Sequence, residues 1–356
     1  MTPHTFRELH PDLFFLDSSN PTDLEKYLRD RSLLQPNESI VRLEKAGDGN
    51  MNCTLRLATA KRSLIVKQAR PWVEKYPQFA APWDRTLQES EFYQLTSQVP
   101  GLSEFMPRLI HSDSQARLLV LEDLGEGGDF TGIYRGETLA ATTIQQLASF
   151  LSILHSAFLD CSPMPSLPNR EMRALNHAHI FAIPLQRDIP LNLDAIQPGL
   201  QAAANQLKAS TEFCSEVAKL GRDLYLADGR CLIHGDFFPG SLVRTPNGPR
   251  VIDPEFCFFG HAEFDVGVLL AHLFLGAQSL DLWRAFQQRY VPPMGFNEDH
   301  ALQLAGVEIM RRLIGYAQLP MIWGAHTRVS LLNLAHGFVL QPRSTFSKLP
   351  HAAGSP

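Results

Sequence analysis

Acidic residues follow two short apolar runs in the second half of the chain. Asp236 comes after the apolar residues 231–233, in an H-G-D-x-x-x-x-S segment that ends at Ser241. Asp253 and Glu255 form an Asp-x-Glu group twelve to fourteen residues later. A carboxylate on an irregular turn can orient an attacking hydroxyl, and paired carboxylates can ligate a magnesium ion that bridges nucleotide phosphates. These residues indicate phosphoryl transfer, with Asp236 as the catalytic base and Asp253 and Glu255 as the metal ligands.

Each of these assignments has a structural alternative. Asp236 could only cap a following turn, which is a common role for aspartate. Asp253 and Glu255 could be a surface acidic pair, but they stand between the apolar residues 251–252 and the aromatic run 256–259. Carboxylates in so apolar a stretch need a compensating partner. We expect the Asp-x-Glu group to be extended, so that the alternation of side chains places both carboxylates on the same side of the chain.

A lysine in the first third of the chain has the surroundings of a phosphate ligand. Lys67 directly follows the apolar run 64–66 and precedes a predicted helix at 84–97. This order is similar to the V-A-I-K strand, whose lysine contacts the α- and β-phosphates and pairs with a helix glutamate. We expect Glu89 to be that glutamate, and Glu91 is the alternative because helical periodicity does not separate the two. A solvated lysine at a sheet edge is the structural alternative.

A glycine-rich loop at 47–52 precedes that lysine by one hairpin. We expect Gly47, Gly49 and Asn50 to place backbone N–H groups on the nucleotide phosphates. A plain hairpin turn would have a similar sequence. The chain contains no G-x-x-x-x-G-K-[ST] motif, which excludes the P-loop kinases.

The elements that must position these residues differ between the two parts of the chain. Short alternating runs separated by Gly, Asp and Asn predict antiparallel strands up to residue 122, with one long helix at 84–97. Later residues show a helical periodicity, interrupted by β-like pieces at 231–233 and 250–252. We therefore expect an α+β, bilobal, protein-kinase-like fold. Residues 1–122 would form a small antiparallel-sheet N-lobe with a helical arm, and residues 123–356 a large helical C-lobe that carries catalysis and substrate binding.

The composition of the 356-residue chain narrows the class of partner. A net charge of −5 gives no indication of nucleic acid or anionic membrane as a partner. The five cysteines are scattered without a C-x-x-C pair, which argues against a disulfide framework or zinc site and favours a reducing cytoplasm. The longest apolar run, 264–277, is shorter than the roughly 20 residues that span a bilayer. We expect a cytoplasmic enzyme with a small-molecule substrate, and whether it forms a homodimer is left open.

With these residues in place, the chain resembles the aminoglycoside phosphotransferase/choline kinase superfamily over about residues 41–318. Within that superfamily it is most similar to the 5-methylthioribose kinases. The resemblance rests on short motifs that occur in the same order: G-D-G-N-M-N at 47–52, V-K-Q-A-R-P at 66–71, D-R-x-x-x-E at 84–89, D-P-E-F at 253–256, F-D-V-G at 264–267 and R-R at 311–312. It implies ATP as the phosphoryl donor and Mg²⁺ as the cofactor.

The resemblance also implies roles for residues that spacing alone does not single out. Glu122 and Leu124 lie in a segment similar to the hinge that offers backbone groups to adenine. Ser241, where many relatives have Asn, is expected on the nucleotide side. Arg311 and Arg312 are implied to bind the substrate sugar, together with Asp236.

Two departures from the family pattern leave the acceptor open. Members commonly read H-G-D-L-H, whereas this chain has Phe238 in place of the final histidine. The loop at 70–83 only loosely matches the family's tryptophan-containing substrate loop. The leading hypothesis is phosphorylation of a sugar-like metabolite, 5-methylthioribose, in methionine salvage. The alternatives are a kinase of the same fold that acts on a fructosamine, an amino alcohol or an aminoglycoside, and a nucleotide-binding pseudokinase.

The arginine pair bears on that choice. Neighbouring residues on a helix point about 100° apart, so one of Arg311 and Arg312 is expected to enter the site while the other braces it. The structural alternative is a salt bridge from Arg312 to Glu308 on a solvated face. Two cations near the acceptor disfavour a polycation or a choline and favour a neutral, hydroxyl-rich or anionic molecule.

Three further polar residues are expected to be structural. We expect Asp265 and His234 to brace the loop of Asp236 by hydrogen bonds. We expect His272, which lies in an apolar run, to be a core histidine with one partner.

Overall fold

The computed structural model describes residues 3–47, 49 and 51–349 of the chain. The chain divides into two compact units, Met1–Gly128 and Asp129–Pro356. Within the described residues, no helix has both the length and the apolar character that crossing a membrane requires. The binding roles expected for the two lobes stay predictions.

The N-terminal unit is built on one antiparallel sheet and a small hairpin. The sheet strands are β1 (Ile40–Lys45), β2 (Cys53–Thr59), β3 (Ser63–Gln68), β6 (Leu109–Asp113) and β7 (Leu118–Glu122), and the hairpin strands are β4 (Trp72–Val73) and β5 (Tyr76–Ala80). The strand order of the sheet is β1-β2-β3-β7-β6, with every neighbouring pair antiparallel. These are the five strands that the alternation of apolar and polar residues predicted. The hairpin lies inside the segment 70–83, which was expected to be a loop.

The helices of this unit are α1 (Pro3–Leu9), α2 (Pro21–Asp30) and α3 (Arg85–Ser97). One apolar cluster joins α2 to a face of the sheet and contains Leu24, Leu28, Leu55, Leu57, Leu64, Val66, Leu118 and Val120. Because side chains alternate along a strand, Val66 in this cluster places Lys67 on the opposite face. The sheet therefore points the lysine away from the α2 cluster.

The C-terminal unit is mostly helical, and the helical periodicity of the sequence predicted this. Its α-helices are α4 (Ala141–Ser156), α5 (Arg170–His177), α6 (Leu193–Ile196), α7 (Leu200–Ala209), α8 (Thr211–Leu220), α9 (Glu263–Leu275), α10 (Leu280–Gln287), α11 (Glu298–Ile314), α12 (Ala325–Leu340) and α13 (Pro342–Ser347). Its strands are β8 (Cys231–Ile233), β9 (Leu242–Thr245), β10 (Gly248–Val251) and β11 (Phe258–Gly260), in the antiparallel pairs β8–β11 and β9–β10. The expected α+β class, with a small antiparallel sheet followed by a helical region, is confirmed.

Helix α11 lies in the core of the C-terminal unit, where it packs against both α9 and α12. A Cβ atom at Gly267 of α9 would stand 2.7 Å from the carbonyl oxygen of Ala301, so only glycine permits the two helices to approach this closely. The last turns of α11 are buried as well, including Glu308, Arg311 and Arg312. Three charged side chains in a helical core require mutual compensation.

Candidate active site

The turn that carries Asp236 is held by hydrogen bonds from its own backbone and side chains. The Asp265 carboxylate accepts the backbone N–H groups of His234 (2.7 Å) and Gly235 (3.0 Å). The His234 ring donates from Nε2 to the carbonyl of Ile252 (2.9 Å), and its Nδ1 accepts the backbone N–H of Asp236 (3.3 Å). The expectation that Asp265 and His234 brace this turn is confirmed.

A glycine brings the Asp236 turn directly against the Asp253–Glu255 segment. Gly235 has a φ of +81°, and a Cβ atom there would stand 2.1 Å from the carbonyl oxygen of Phe256. A second contact lies nearby, because the N–H of Ile252 donates to the carbonyl of buried Ser241 (2.9 Å). Only glycine tolerates both the positive φ and the close approach to Phe256 at position 235. The two acidic segments are therefore neighbours.

The expectation that the Asp-x-Glu group is extended is wrong. Asp253 has a φ of +59°, in the left-handed region that only a few residue types tolerate. The chain then turns, because the N–H of Cys257 donates to the carbonyl of Pro254 (3.1 Å). The Asn169 amide donates to the carbonyls of Glu255 (2.8 Å) and Cys257 (2.9 Å) and so holds this turn. Strand alternation therefore does not apply here, and Glu255 is buried while Asp253 is half-buried.

The metal-binding role expected for Asp253 and Glu255 stays a prediction. Across residues 3–47, 49 and 51–349, no three His, Cys, Asp or Glu side chains gather into a metal-binding group. Magnesium commonly takes one or two protein carboxylates and completes its shell with phosphate oxygens and waters. Asp253 and Glu255 fit that kind of site, because oxygen is their only ligand atom.

Arg311 and Arg312 both reach Asp236. Their Nη2 atoms lie 3.4 and 3.6 Å from the same Asp236 oxygen, Oδ1. The Glu308 carboxylate accepts the Nε–H group of Arg311 at Oε2 (2.5 Å) and that of Arg312 at Oε1 (2.7 Å). The expectation that only one arginine would enter the site is wrong, because Glu308 binds one arginine on each oxygen and draws the two long side chains together.

The salt bridge between Arg312 and Glu308 that was considered as an alternative is therefore present, but it is not on a solvated face. The exposed fraction of the side chain is 2% for Glu308, 7% for Arg312 and 6% for Arg311. Asp236 is different, with 20% of its side chain exposed. In this charged cluster the carboxylate expected to be catalytic is the group that solvent, and hence a reactant, can reach.

The net pKa shift differs between the two carboxylates, Asp236 and Glu308. At Asp236, burial raises the pKa above its ordinary value, although Arg312 and Arg311 oppose the shift. At Glu308, burial would also raise the pKa, but Arg311 and Arg312 outweigh it and hold that pKa well below its usual range. Glu308 is consequently an ionised acceptor, while Asp236 has a raised affinity for a proton, as a base requires.

His272 has two partners rather than the one expected. Its Nδ1 lies 2.7 Å from the hydroxyl of Tyr134, and its Nε2 lies 3.0 Å from Oε1 of Glu308. Burial lowers the pKa of His272 to about 4, so the ring is neutral at physiological pH. Phe238, at the position where family members commonly have histidine, packs on this cluster, with its ring centroid 4.6 Å from the Arg312 guanidinium and 5.6 Å from the His272 ring.

In the N-terminal unit, Lys67 forms an ion pair with Glu89. The Nζ atom lies 2.7 Å from Oε2 of Glu89, and both side chains are buried. Glu91, the alternative partner, is exposed on the other side of α3 from the pair. The register of the helix thus selects Glu89, and the contact of this pair with a nucleotide stays a prediction.

The glycine-rich loop lies between β1 and β2. Gly47 and Gly49 are both exposed, and Gly47 has a φ of +69°. Asn50 lies outside the described residues. The backbone of the two glycines is therefore accessible to a ligand, as a phosphate loop requires.

A buried arginine anchors the end of that loop, and the sequence reasoning missed its role. Arg85 donates from Nη2 to the carbonyl of Met51 (2.7 Å) and from Nε to the side chain of Asn52 (2.8 Å). It also donates to the carbonyls of Arg70 (2.8 Å) and Pro82 (2.6 Å). The D-R-x-x-x-E motif was taken as a helix start, but its arginine ties the glycine loop to the hairpin segment.

The segment expected to be a hinge begins at the end of β7. The N–H of Glu122 donates to the carbonyl of Arg108 (3.0 Å), so an adenine contact from Glu122 would have to use its carbonyl oxygen. Leu124 is half-buried. It follows Asp123, whose carboxylate pairs with Nε of Arg56 (2.9 Å).

Proteins of known name align with much of this sequence. A protein named methylthioribose kinase from Exiguobacterium sibiricum is 29% identical over 326 residues, which cover 78% of this chain and 80% of the relative. A protein of the same name from Geobacillus sp. (strain WCH70) is 26% identical over 367 residues, which cover 88% of this chain and 89% of the relative. The resemblance predicted from the motifs is confirmed.

The fold has a counterpart among solved structures. The spectinomycin phosphotransferase APH(9)-Ia, in complex with ADP and spectinomycin, aligns with a TM-score of 0.52 at 11% identity, covering 90% of this chain and 97% of that chain. At this identity the likeness concerns the fold alone. The model of the phosphotransferase enzyme family (APH) matches residues 42–298, which is well over half of the sequence. This chain therefore belongs to the phosphotransferase enzyme family and is an enzyme that transfers a phosphoryl group to an alcohol acceptor.

Proposed function

We propose that this enzyme is an ATP- and Mg²⁺-dependent kinase of a neutral sugar-like metabolite, 5-methylthioribose, and that it acts in methionine salvage in the cytoplasm. The observation that carries the proposal is the charged cluster at the end of α11. There a partly exposed carboxylate, Asp236, lies beside two guanidinium groups that also bind a second carboxylate, Glu308.

Asp236 is the base in this proposal. Its raised pKa, caused by burial, improves its ability to accept the proton of an attacking hydroxyl group. The Arg311 and Arg312 Nη2 atoms beside it would donate hydrogen bonds to oxygens of the acceptor and align the hydroxyl for in-line attack. The products are the phosphate ester and ADP.

The charge balance of the cluster supports a neutral acceptor. Asp236 and Glu308 carry one negative charge each, Arg311 and Arg312 carry one positive charge each, and His272 is neutral. The net charge of these five side chains is zero, so they offer neither a surplus cation to an anionic acceptor nor a surplus anion to a polycation. Methylthioribose is neutral and rich in hydroxyl groups, and two relatives carry the name methylthioribose kinase.

The nucleotide contacts in the proposal are assigned within each unit by itself. We assign phosphate contacts to Lys67, braced by Glu89, and to the glycine-loop backbone of Gly47, Gly49 and Asn50. Adenine would meet the backbone of the segment from Glu122 to Leu124. Ser241, Asp253 and Glu255 are assigned to the metal–nucleotide complex, in which bound Mg²⁺ would neutralise phosphate charge.

The proposal is tested by measuring ADP release with Mg²⁺ and a panel of acceptors. The panel contains methylthioribose, ribose, a fructosamine, an amino alcohol and an aminoglycoside. We expect methylthioribose to give the highest kcat/KM, because it matches a net-neutral cluster that donates hydrogen bonds. A higher kcat/KM with the amino alcohol or the aminoglycoside would contradict the proposal and favour another acceptor for the same fold.

A further inference from the structure

We propose that Tyr134, His272 and Glu308 form a positioning relay that holds both arginines beside Asp236 while leaving its carboxylate available to react. The relay consists of these three residues. The inference rests on the proposed function in one respect: it assumes that Asp236, Arg311 and Arg312 contact the acceptor.

The proton positions in the relay follow from its chemistry. Glu308 is ionised, so it can only accept, and the Nε2 atom of His272 that faces it must carry the proton. A neutral imidazole then has no proton on Nδ1, so the hydroxyl of Tyr134 must donate to that atom. Every hydrogen bond in the relay therefore points the same way, from Tyr134 through His272 to Glu308.

The distances assign the arginines to Glu308 rather than to Asp236. The Nε atoms of Arg311 and Arg312 lie 2.5 and 2.7 Å from Glu308, whereas the Nη2 atoms lie 3.4 and 3.6 Å from Asp236. Charge-assisted hydrogen bonds between nitrogen and oxygen are typically 2.7–2.9 Å long. The strong bonds are made to Glu308, and the contacts with Asp236 are long and weak.

This division has a consequence for reactivity. Without the charge of Glu308, two buried guanidinium groups would have Asp236 as their nearest carboxylate and would close on it. A carboxylate held by two short guanidinium bonds is a weaker base and is less accessible to a hydroxyl group. Glu308 thus competes with Asp236 for the arginines, and His272, itself oriented by Tyr134, fixes the carboxylate of Glu308 for that competition.

The decisive variant is Glu308→Gln, compared with Glu298→Gln, which makes the same change at the exposed start of the same helix. We expect the KM for the acceptor to rise about tenfold, because an amide cannot accept from both arginines and the histidine without presenting its own N–H₂ group to one of them. The KM for ATP should stay within about twofold. Glu298→Gln should match the wild type in both constants.

The pH profile provides a readout that a purely structural residue would not change. The charged or titratable groups that interact with Asp236 include Arg312, Arg311, Glu308 and His234, together with the hydroxyl groups of Tyr134 and Tyr225. The negative charge of Glu308 raises the pKa of Asp236. Removing that charge should lower the pKa of Asp236, so the acid limb of kcat/KM should move to lower pH. An unshifted acid limb, with kcat reduced in proportion to lost stability and both KM values unchanged, would overturn the relay.

Tyr134→Phe tests the relay if Glu308→Gln folds poorly. This variant removes one hydroxyl group and keeps the ring, so we expect the acceptor KM to rise about threefold with the same direction of pH shift. If neither the acceptor KM nor the acid limb changes, Tyr134 does not orient His272 for this role and is not part of the relay.

A crystal structure of Glu308→Gln separates this proposal from the proposed function. If the wild type phosphorylates none of the panel acceptors, the proposed function fails, yet the relay still predicts that the guanidinium groups move onto Asp236. We expect the distances of 3.4 and 3.6 Å to shorten to about 2.9 Å. Guanidinium groups that stay in place would overturn the relay.

Discussion

The two units of the molecule each bury charged side chains, but they do so in different ways. In the N-terminal unit, Lys67 and Glu89 form a pair at 2.7 Å in which both side chains are buried. In the C-terminal unit, two arginines share two carboxylates, and one of these, Asp236, keeps 20% of its side chain exposed. The first arrangement fixes the position of one cation, whereas the second leaves one anion partly exposed.

The comparison shows two ways of compensating buried charge, one that suits a fixed cation and one that suits an accessible anion. A close pair of opposite charges has little reason to change its geometry when a ligand arrives, which suits a lysine that must stay rigid. A cluster whose contacts with one carboxylate are long can exchange those contacts for a substrate hydroxyl at little cost. Removing a member of either arrangement should therefore affect different properties, with stability affected first in the N-terminal unit and turnover first in the C-terminal unit.

The largest expected effect is the loss of turnover when Asp236 is replaced by Asn. An amide cannot accept the hydroxyl proton, so we expect kcat to fall about a thousandfold. ATP binding, measured by calorimetry, should remain close to the wild-type value. Asp281→Asn, which changes an exposed aspartate on α10, is the control. A kcat within tenfold of the wild type would mean that Asp236 is not the base.

The next effect is on stability, when Glu89 is replaced by Gln. This change removes the negative charge that compensates buried Lys67, and we expect the free energy of unfolding to fall by about 3 kcal/mol. Denaturant titration measures it. The matched control is Glu91→Gln on the same helix, where the side chain is exposed and a change within about 0.5 kcal/mol is expected. If the free energy of unfolding falls equally in the two variants, the buried pair has no special effect on stability, and the contrast drawn between the two units is wrong.

The smallest expected effect is on the pH dependence of the wild-type enzyme. Asp236 must be ionised to accept a proton, and burial raises its pKa. The value of kcat/KM should therefore fall as the pH drops through this raised pKa, which places the acid limb above the value of about 3.9 that is ordinary for aspartate. A pH–rate profile between pH 4 and 9 measures this limb. A flat profile over that range would mean that the Arg311 and Arg312 charges dominate at Asp236.

Much of the fold was readable from local sequence patterns. The alternation at 40–45, 53–59 and 63–68 predicted strands, and the periodicity of α4, α9 and α11 predicted helices, because those patterns depend on neighbours a few residues apart. The hairpin of β4 and β5 was not predicted. Its strands are short and register-shifted, and they carry a proline and aromatic residues, which are equally common in loops.

Some residues of the candidate site were likewise predicted from the sequence, and others depended on tertiary packing. Motifs alone singled out Asp236, Lys67, Asp253 and the arginine pair, since residue type and order along the chain decide what chemistry is possible. The choice of Glu89 over Glu91 depended on how α3 packs on the sheet. A glutamate three and four residues before two arginines on a helix was a signal for Glu308, but only burial makes it their principal partner.

The sequence by itself determined which groups can act, because the identity and local order of acids, bases and glycines are properties of the chain. Tertiary structure decided their geometry and their pKa values. The φ of +59° at Asp253 and the contact between Tyr134 and His272, which are 138 residues apart, arise from packing between distant segments. The reason is physical: the direction and hydration of a side chain depend on everything that surrounds it, and most of those neighbours are distant in sequence.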